Sequence, residues 1–382
     1  MRAMNLLSAL NDVRDTYVLE SALPPLGEAS RKAVPAFRRK GKDGSLGRVF
    51  SDGWLVAAVC TLVAIGTLSG MVWLGQRPPT PPVSSDSATF PSSSEEHPVT
   101  EGIHTASLVY VSHGDGTCSV KASDGFGQLS EDIHLVIPEA SPTGDVVTAV
   151  EDYGFIWKTG LKSVTLPDTV TAIGQWAFAE CTSLETVELS DSLRSIGTAA
   201  FLECTALKEI TLPEGLTALG DSAFSTCTAL AEATLPSTLK AIPQWSFYNC
   251  ASLSELTLSE GLTEIGYSAF CGCVSLISVE LPDSVSSLSK GAFAGCTELL
   301  SVTSGSGLQA VGALAFDGCT RLATITLPDG LQTLNGTALR DCNALRTVAF
   351  TGTREAWRAL LGEQSPLPKG STVHCTDGVI KY

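Results

Sequence analysis

The cysteines are the residues of this chain most able to do chemistry, because a thiolate is a nucleophile, a metal ligand and a disulfide partner. Zinc sites usually contain a Cys-x-x-Cys pair, and the nearest approach to one here is Cys271-x-Cys273. Eight of the twelve cysteines instead recur every 23 residues, at Cys181, Cys204, Cys227, Cys250, Cys273, Cys296, Cys319 and Cys342. A cysteine at a fixed place in a repeat suits a small buried apolar side chain. We therefore expect reduced thiols in the core, with scattered disulfides as the alternative and no metal site.

Known catalytic motifs are absent from the sequence. The histidines lie outside the periodic region, at His97, His104, His113, His134 and His374. No Ser/His/Asp order, H-E-x-x-H motif or glycine-rich phosphate loop is found. Carboxylates are numerous, but a carboxylate that recurs on a repeated surface is usually a solvated group. We therefore expect no enzymatic activity and no cofactor.

The periodic region, residues 161–349, predicts a β-rich solenoid. Apolar residues recur at a period of two after the cysteine, as at Val187 and Leu189, which predicts a short strand, and a proline usually ends it. A second extended piece is expected on the return, for example from Ile196 to Phe201. One 23-residue unit buries too little to fold alone, so eight units must stack between caps, expected at 103–160 and 350–382. Cys118 and Cys375 then lie at opposite ends and should not pair.

Three features of the unit are shared with a known family. They are the Cys-x-x-Leu starts, the Leu-Pro strand ends and the Ile-Gly-x-x-Ala-Phe returns, as at residues 173–178. The unit closely resembles the treponemal-type, or BspA-like, leucine-rich repeats of bacterial surface proteins. This resemblance implies a curved solenoid outside the cell, with adhesion or partner binding as the usual role. Ser289 replaces the glycine and Ser304 the strand-end leucine, which leaves the regularity of the stack near 289–305 open.

Two sets of side chains are candidates for ligand binding. On the strand face, Glu209, Glu232 and Glu255 share one place in successive units and predict an acidic strip for a basic protein or a divalent cation. The alternative is a face that only maintains solubility and strand register, since stacked threonines run beside it.

Aromatic residues on the return side form the second set: Trp176, Trp245, Tyr248 and Tyr267. Aromatic rings are over-represented at interface hot spots and also serve sugar recognition. The alternative is that these rings only pack over neighbouring turns.

The first half of the N-terminal region predicts a cytoplasmic tail, residues 1–53. Leu6, Leu10, Val13 and Tyr17 lie on one face of a possible helix within residues 1–21. Such a helix could dock on a cytosolic partner, lie on the membrane surface or remain unfolded. A basic run follows at 31–48.

Residues 54–74 carry no charge, and 21 residues of helix span about 32 Å, enough for a bilayer. Trp54 and Trp73 lie at the two edges, and the basic run places the amino end in the cytoplasm. We expect a transmembrane signal anchor at 54–75, because 53 preceding residues are far too many for a cleaved signal peptide. A Pro/Ser-rich linker, 76–102, would hold the solenoid away from the bacterial cell membrane.

The net charge of the chain limits the classes of partner that it can bind. The net charge is −16, and an acidic exterior argues against nucleic acid. The leading interpretation is a membrane-anchored bacterial surface protein that binds an extracellular protein or glycan. The alternatives are a single-span signalling protein, with a sensing solenoid outside and a docking helix in the cytosol, and a purely structural spacer.

Overall fold

The computed structural model describes residues 108–123, 125–126, 132–361 and 367–382. All of them belong to one compact unit, Ser94–Tyr382. The expected tail, signal anchor and linker lie outside the described residues. In the described part of the chain, no helix has the length and apolar character needed to cross a membrane.

The N-terminal end begins with a hairpin. Strands β1 (Leu108–Ser112) and β2 (Thr117–Ala122) pair antiparallel around the Asp115-Gly116 turn, with Ser112 opposite Cys118. Two further strands, β3 (Ile133–Val136) and β4 (Val146–Val150), pair parallel with the first repeat. Phe126 then packs edge-on against Phe155 at 5.5 Å, which covers the apolar end of the stack.

Each repeat contributes one longer and one shorter strand, and strands of neighbouring turns pair in parallel through most of the stack. The longer strands are β5 (Leu161–Thr165), β7 (Thr186–Glu188), β9 (Glu209–Thr211), β11 (Glu232–Thr234), β13 (Glu255–Thr257), β15 (Ser278–Glu280), β17 (Ser301–Thr303), β19 (Thr324–Leu327) and β21 (Thr347–Phe350). The shorter strands are β6 (Ala172–Ile173), β8 (Ser195–Ile196), β10 (Ala218–Leu219), β12 (Ala241–Ile242), β14 (Glu264–Ile265), β16 (Ser287–Leu288), β18 (Ala310–Val311) and β20 (Thr333–Leu334). With the caps, the fold is a β-solenoid of about ten turns.

The C-terminal end closes with a short helix, α1 (Arg354–Leu361), and a hairpin of β22 (Thr372–Cys375) and β23 (Gly378–Lys381). Strand β22 pairs parallel with β21 and so continues the sheet of longer strands. Trp357 of the helix is fully buried against Phe350, with ring centroids 5.1 Å apart. Its indole nitrogen donates to the Tyr382 hydroxyl at 2.9 Å, so the ring covers the last turn without leaving a donor unpaired.

The core is a column of phenylalanine rings along the solenoid axis. From Phe155 to Phe316 the centroids of successive rings are 5.2–5.6 Å apart and the planes lie within 14° of parallel. All eight rings are fully buried, and Leu339 takes the next place. Each ring is therefore shielded from water by its copies in the turns above and below it.

The expected reduced thiols are present in the described residues, where Cys118, Cys375 and the repeat cysteines are all free. In every repeat the thiol donates to the carbonyl oxygen of the phenylalanine in the preceding turn, at 3.1–3.3 Å. Burial raises the pKa of Cys181 and Cys250 to about 12. The repeat cysteines are thus unreactive core donors.

The second extended piece proves shorter than expected. Only Ser195–Ile196 is a strand, and the chain then passes through left-handed conformations at Ala199 (φ 53°) and Glu203 (φ 57°). The chain must turn tightly there to begin a new strand every 23 residues. The glycine before this turn, Gly197, is needed for space, as is Gly220 in the next repeat, where a Cβ would lie 2.3 Å from the Thr198 nitrogen.

The stack is regular through 289–305, which answers the question raised by Ser289 and Ser304. The Phe293 ring lies 5.3 Å and 5.6 Å from its two neighbours, and β15, β17 and β19 pair without a break. The longer-strand sheet is interrupted elsewhere, between β7 and β9 and between β13 and β15. In the strand before each interruption the central residue, Val187 or Leu256, is only half-buried.

Candidate functional site

The acidic strip, Glu209, Glu232 and Glu255, is assembled by strand register. Glu232 lies directly opposite Glu209 on one side and Glu255 on the other, and all three side chains are exposed. Neighbouring strands are about 4.8 Å apart, and like charges directly opposite each other destabilise a sheet. The predicted alignment is therefore real, while a binding role for it stays a prediction.

A neighbouring column shows how the same fold accommodates charge without repulsion. Lys162, Glu185 and Lys208 alternate in sign, with lysine nitrogens 3.3 and 2.5 Å from the two Glu185 oxygens. These cations hold the pKa of Glu185 below its usual range. Among the described residues, the acidic strip has no such ion pairs.

The threonines beside the strip occupy matching positions: Thr234 lies opposite both Thr211 and Thr257. This arrangement suits the alternative of a register-keeping face. Within the described ranges, no three His, Cys, Asp or Glu side chains are grouped to hold a metal ion.

The four predicted aromatic residues lie on the return side and are half-buried. Trp245 meets Tyr267 of the next turn edge-on, with centroids 5.4 Å apart and planes at 85°. The Lys290 nitrogen lies 6.0 Å from the Tyr267 centroid, and Tyr248 follows Trp245 by three residues in the same turn. Trp176 is in the same column as Trp245 but three turns away, so the structure does not gather the four into one patch.

Sequence reasoning missed the two most exposed aromatic residues of this side. Tyr153 is 44% exposed and Trp157 is 54% exposed. The Tyr153 ring lies nearly parallel to that of Trp176, at 6.4 Å and 12°. The signal was available, because Tyr153 precedes Trp176 by one 23-residue period, but it lay in the expected N-terminal cap.

The backbone at these aromatic positions is strained. Tyr153, Trp157, Trp176 and Trp245 have φ of 58°, 61°, 56° and 55°, a region that costs an L-residue about 1 kcal/mol or more. Gly291 occupies the same column as Trp245 without that cost. Ala199, Ser222, Ser268 and Leu314 share this conformation in the column of Trp176 and Trp245, so it is a property of the repeat turn rather than of the aromatic residues.

Two carboxylate–amide pairs accompany the tryptophans. The Gln175 amide donates to Asp152 at 3.0 Å, and the Gln244 amide donates to Asp221 at 2.8 Å. In both cases the aspartate is in the preceding turn and the tryptophan follows the glutamine directly. The pairs hold polar groups in fixed positions beside an aromatic ring.

A third surface feature is apolar. Val274, Ile277 and Leu300 are exposed, Ile277 by 51%. The Leu300 nitrogen donates to the Ile277 carbonyl at 2.8 Å, so the two side chains are neighbours in adjacent turns. They occupy the column that carries Lys162, Glu185 and Lys208 earlier in the stack.

The repeat sequence matches a known family model. The model for the BspA type leucine-rich repeat region matches residues 148–276 and 263–357 in six copies, which together are more than half of the chain. The chain belongs to this family. The resemblance carried by the Cys-x-x-Leu and Ile-Gly-x-x-Ala-Phe features is thereby confirmed.

Solved structures of bacterial leucine-rich repeat proteins are similar to this one. The leucine-rich repeat protein of T. pallidum is 31% identical over 57% of this chain and 89% of its own, with a TM-score of 0.42. A leucine-rich cell surface protein of Faecalibacterium prausnitzii is 25% identical over 69% and 97%, with a TM-score of 0.32. A leucine-rich repeat protein of Bacteroides ovatus is 21% identical over 71% and 98%, with a TM-score of 0.35. Among curated proteins, none matches the chain.

Proposed function

We propose that this BspA-type protein is anchored in the bacterial cell membrane and binds an extracellular protein or glycan through its solenoid, in adhesion or host interaction. The observation that carries the proposal is the acidic strip. A fold that alternates charge in the Lys162–Glu185–Lys208 column places three glutamates in register in another column, at a cost in stability. Such a cost is explained if the strip recognises a basic surface.

The anchoring part of the proposal rests on residues 54–75. An uncharged stretch long enough to span a bilayer follows a basic run, and this order directs the C-terminal part outward. The Pro/Ser-rich residues 76–102 would then act as an extended spacer between membrane and solenoid.

The test uses the unit 94–382, which has its own core and both caps. The purified unit is applied to immobilised extracellular-matrix proteins and to a glycan array. We expect saturable binding to at least one component. If neither the matrix proteins nor the glycan array binds the unit at protein concentrations up to high micromolar, the solenoid is a spacer and the binding function is wrong.

The role of the acidic strip is tested by replacing Glu209, Glu232 and Glu255 with glutamine together. If the partner is basic, binding weakens and its salt dependence falls, because fewer charges meet across the interface. Glu280→Gln is the matched control, since Glu280 is exposed on the same face in a different column. Equal effects of the triple variant and the control would remove the strip from the binding site.

A signalling function is the second candidate, favoured by the apolar stripe Leu6, Leu10, Val13 and Tyr17. In that case the solenoid senses a ligand outside and residues 1–21 contact a cytosolic partner. Deleting residues 1–30 separates the two functions. A cell-surface adhesin still binds its ligand and still confers adhesion without them, whereas a signalling protein keeps ligand binding and loses its cellular response.

A further inference from the structure

The dipeptide Gln-Trp occurs twice on the return side, as Gln175-Trp176 and Gln244-Trp245. Both copies occupy the same place in the repeat, three turns apart. The phenylalanine rings between Phe178 and Phe247 are spaced by 5.3, 5.3 and 5.4 Å, so the two motifs are about 16 Å apart along the stack. Side chains at equivalent places in the repeat point in equivalent directions.

Each Gln-Trp motif has the same kinds of neighbours. An aspartate of the preceding turn accepts the glutamine amide, Asp152 in one case and Asp221 in the other. A tyrosine of an adjacent turn lies near each tryptophan: Tyr153 of the preceding turn is nearly parallel to Trp176, whereas Tyr267 of the following turn meets Trp245 edge-on. Ring, amide and carboxylate therefore recur together at both places.

This combination matches the surface of a sugar. The C–H face of a pyranose ring is apolar and packs on an aromatic ring, while the hydroxyl groups at its edge need fixed donors and acceptors. The Asp–Gln hydrogen bond fixes such groups before a ligand arrives, which lowers the cost of ordering them. A protein interface would use the rings equally well, but it would not require the same polar pair at both.

We propose that the two motifs are subsites for one linear, uncharged polysaccharide that runs along the return side of the solenoid. The proposal rests on the proposed display of the solenoid outside the cell, and it assigns a ligand class to the return side rather than to the acidic strip. The aspartates and the acidic exterior repel anionic sugars, so sulfated and uronic-acid-rich chains are poor ligands. A disaccharide reaches one subsite, whereas a longer chain contacts both.

The experiment titrates the unit 94–382 with chitohexaose, cellohexaose, xylohexaose, mannohexaose, maltohexaose and the corresponding disaccharides, with heparin as the anionic probe. Tryptophan fluorescence and calorimetry report binding. We expect at least one hexasaccharide to bind about tenfold or more tighter than its disaccharide, because the second contact becomes intramolecular.

Three variants localise the site: Trp176→Ala, Trp245→Ala and the double variant. Alanine suits the backbone, because Ala199 occupies this column with φ 53°. Each single variant should lower hexasaccharide affinity about tenfold, close to the disaccharide value, and the double variant should lose binding. Leu314→Ala is the matched control, since Leu314 has the same place and φ 57° without an Asp–Gln pair, and it should bind normally.

Several outcomes overturn the proposal: no hexasaccharide binds, heparin binds best, or the double variant binds as the parent does. If the unit binds a matrix protein and the double variant does so equally, the glycan proposal fails and the binding function stands. If the tryptophan variants abolish binding to that protein, the return side is a protein interface. If neither glycans nor proteins bind, both proposals fail.

Discussion

The thiol of Cys204 donates a hydrogen bond to the carbonyl oxygen of Phe178, 3.2 Å away in the preceding turn. The same oxygen accepts the Cys181 nitrogen at 3.2 Å, so each phenylalanine carbonyl joins its own turn to the next one. A thiol is small enough for the column and apolar enough to be buried, yet it still donates. This dual requirement explains why cysteine, and not alanine, recurs in all eight repeats.

The buried thiols of the unit 94–382 should resist alkylation. Burial raises the pKa of the repeat cysteines, to about 12 for Cys181 and Cys250, so almost no thiolate forms at pH 8. In native protein treated with iodoacetamide, mass spectrometry should find Cys375 modified first, because it alone of the described cysteines is not buried.

The control is the same alkylation in denaturant, where all eleven cysteines of the unit become reactive. Rapid modification of the repeat column in native protein, or disulfides within it, would contradict the buried-donor role.

Removing one ring from the phenylalanine column should destabilise the whole unit. Phe247 contacts Phe224 and Phe270 at 5.4 and 5.3 Å, and Phe247→Ala removes both contacts and leaves a cavity. We expect a loss of about 3–5 kcal/mol in the free energy of unfolding, measured by chemical denaturation. Phe247→Leu is the control and should cost less, because buried Leu339 occupies this column naturally. An alanine variant as stable as the leucine variant would contradict the cavity cost, and a leucine variant as stable as the parent would show that ring stacking adds little.

Neutralising the middle of the acidic strip should stabilise the protein. Glu232 has a glutamate on each side, so Glu232→Gln should raise stability by about 0.2–1 kcal/mol. Thermal unfolding should show the gain at low salt and a smaller gain at 1 M salt, because salt screens exposed charges. Glu185→Gln should act in the opposite direction, since it removes two lysine contacts. A shift of the same sign in both variants would rule out the electrostatic explanation.

Glu203 should make the protein less stable as the pH rises. Burial, with a smaller effect of Glu180, raises the pKa of Glu203 above its ordinary value. The folded state therefore binds a proton that the unfolded state has released, so this contribution is present at low pH and is lost as the pH rises through the folded-state pKa. Glu203→Gln should be more stable than the parent at pH 7, with the difference shrinking as the pH falls through that window. A difference independent of pH would assign the effect to packing.

The columns of this solenoid were predictable because a fixed period translates directly into register. Once the repeat length is known, Glu209, Glu232 and Glu255 must align, and every leucine and phenylalanine must meet its copies. The caps were also predictable, because the Asp-Gly turns in both hairpins and the helix carrying Trp357 are indicated by local sequence patterns.

The 23-residue period places unlike side chains such as Asp152 and Gln175 in neighbouring turns, but the direction in which each of them points was not predictable. The Asp152–Gln175 and Asp221–Gln244 hydrogen bonds, the Tyr153–Trp176 contact and the exposure of Trp157 depend on left-handed turns. Sequence reasoning expected extended chain in this region, and an extended chain would point those side chains elsewhere.

By itself, the sequence determined the period, the family, the core columns and the sign of the surface charge. All of these follow from which residue types recur at one spacing. Only the tertiary structure decided which polar groups face one another and which rings stay exposed. The physical reason is that a turn's backbone direction is set by contact with its neighbours, as at Gly220, where the Thr198 nitrogen leaves no room for a side chain.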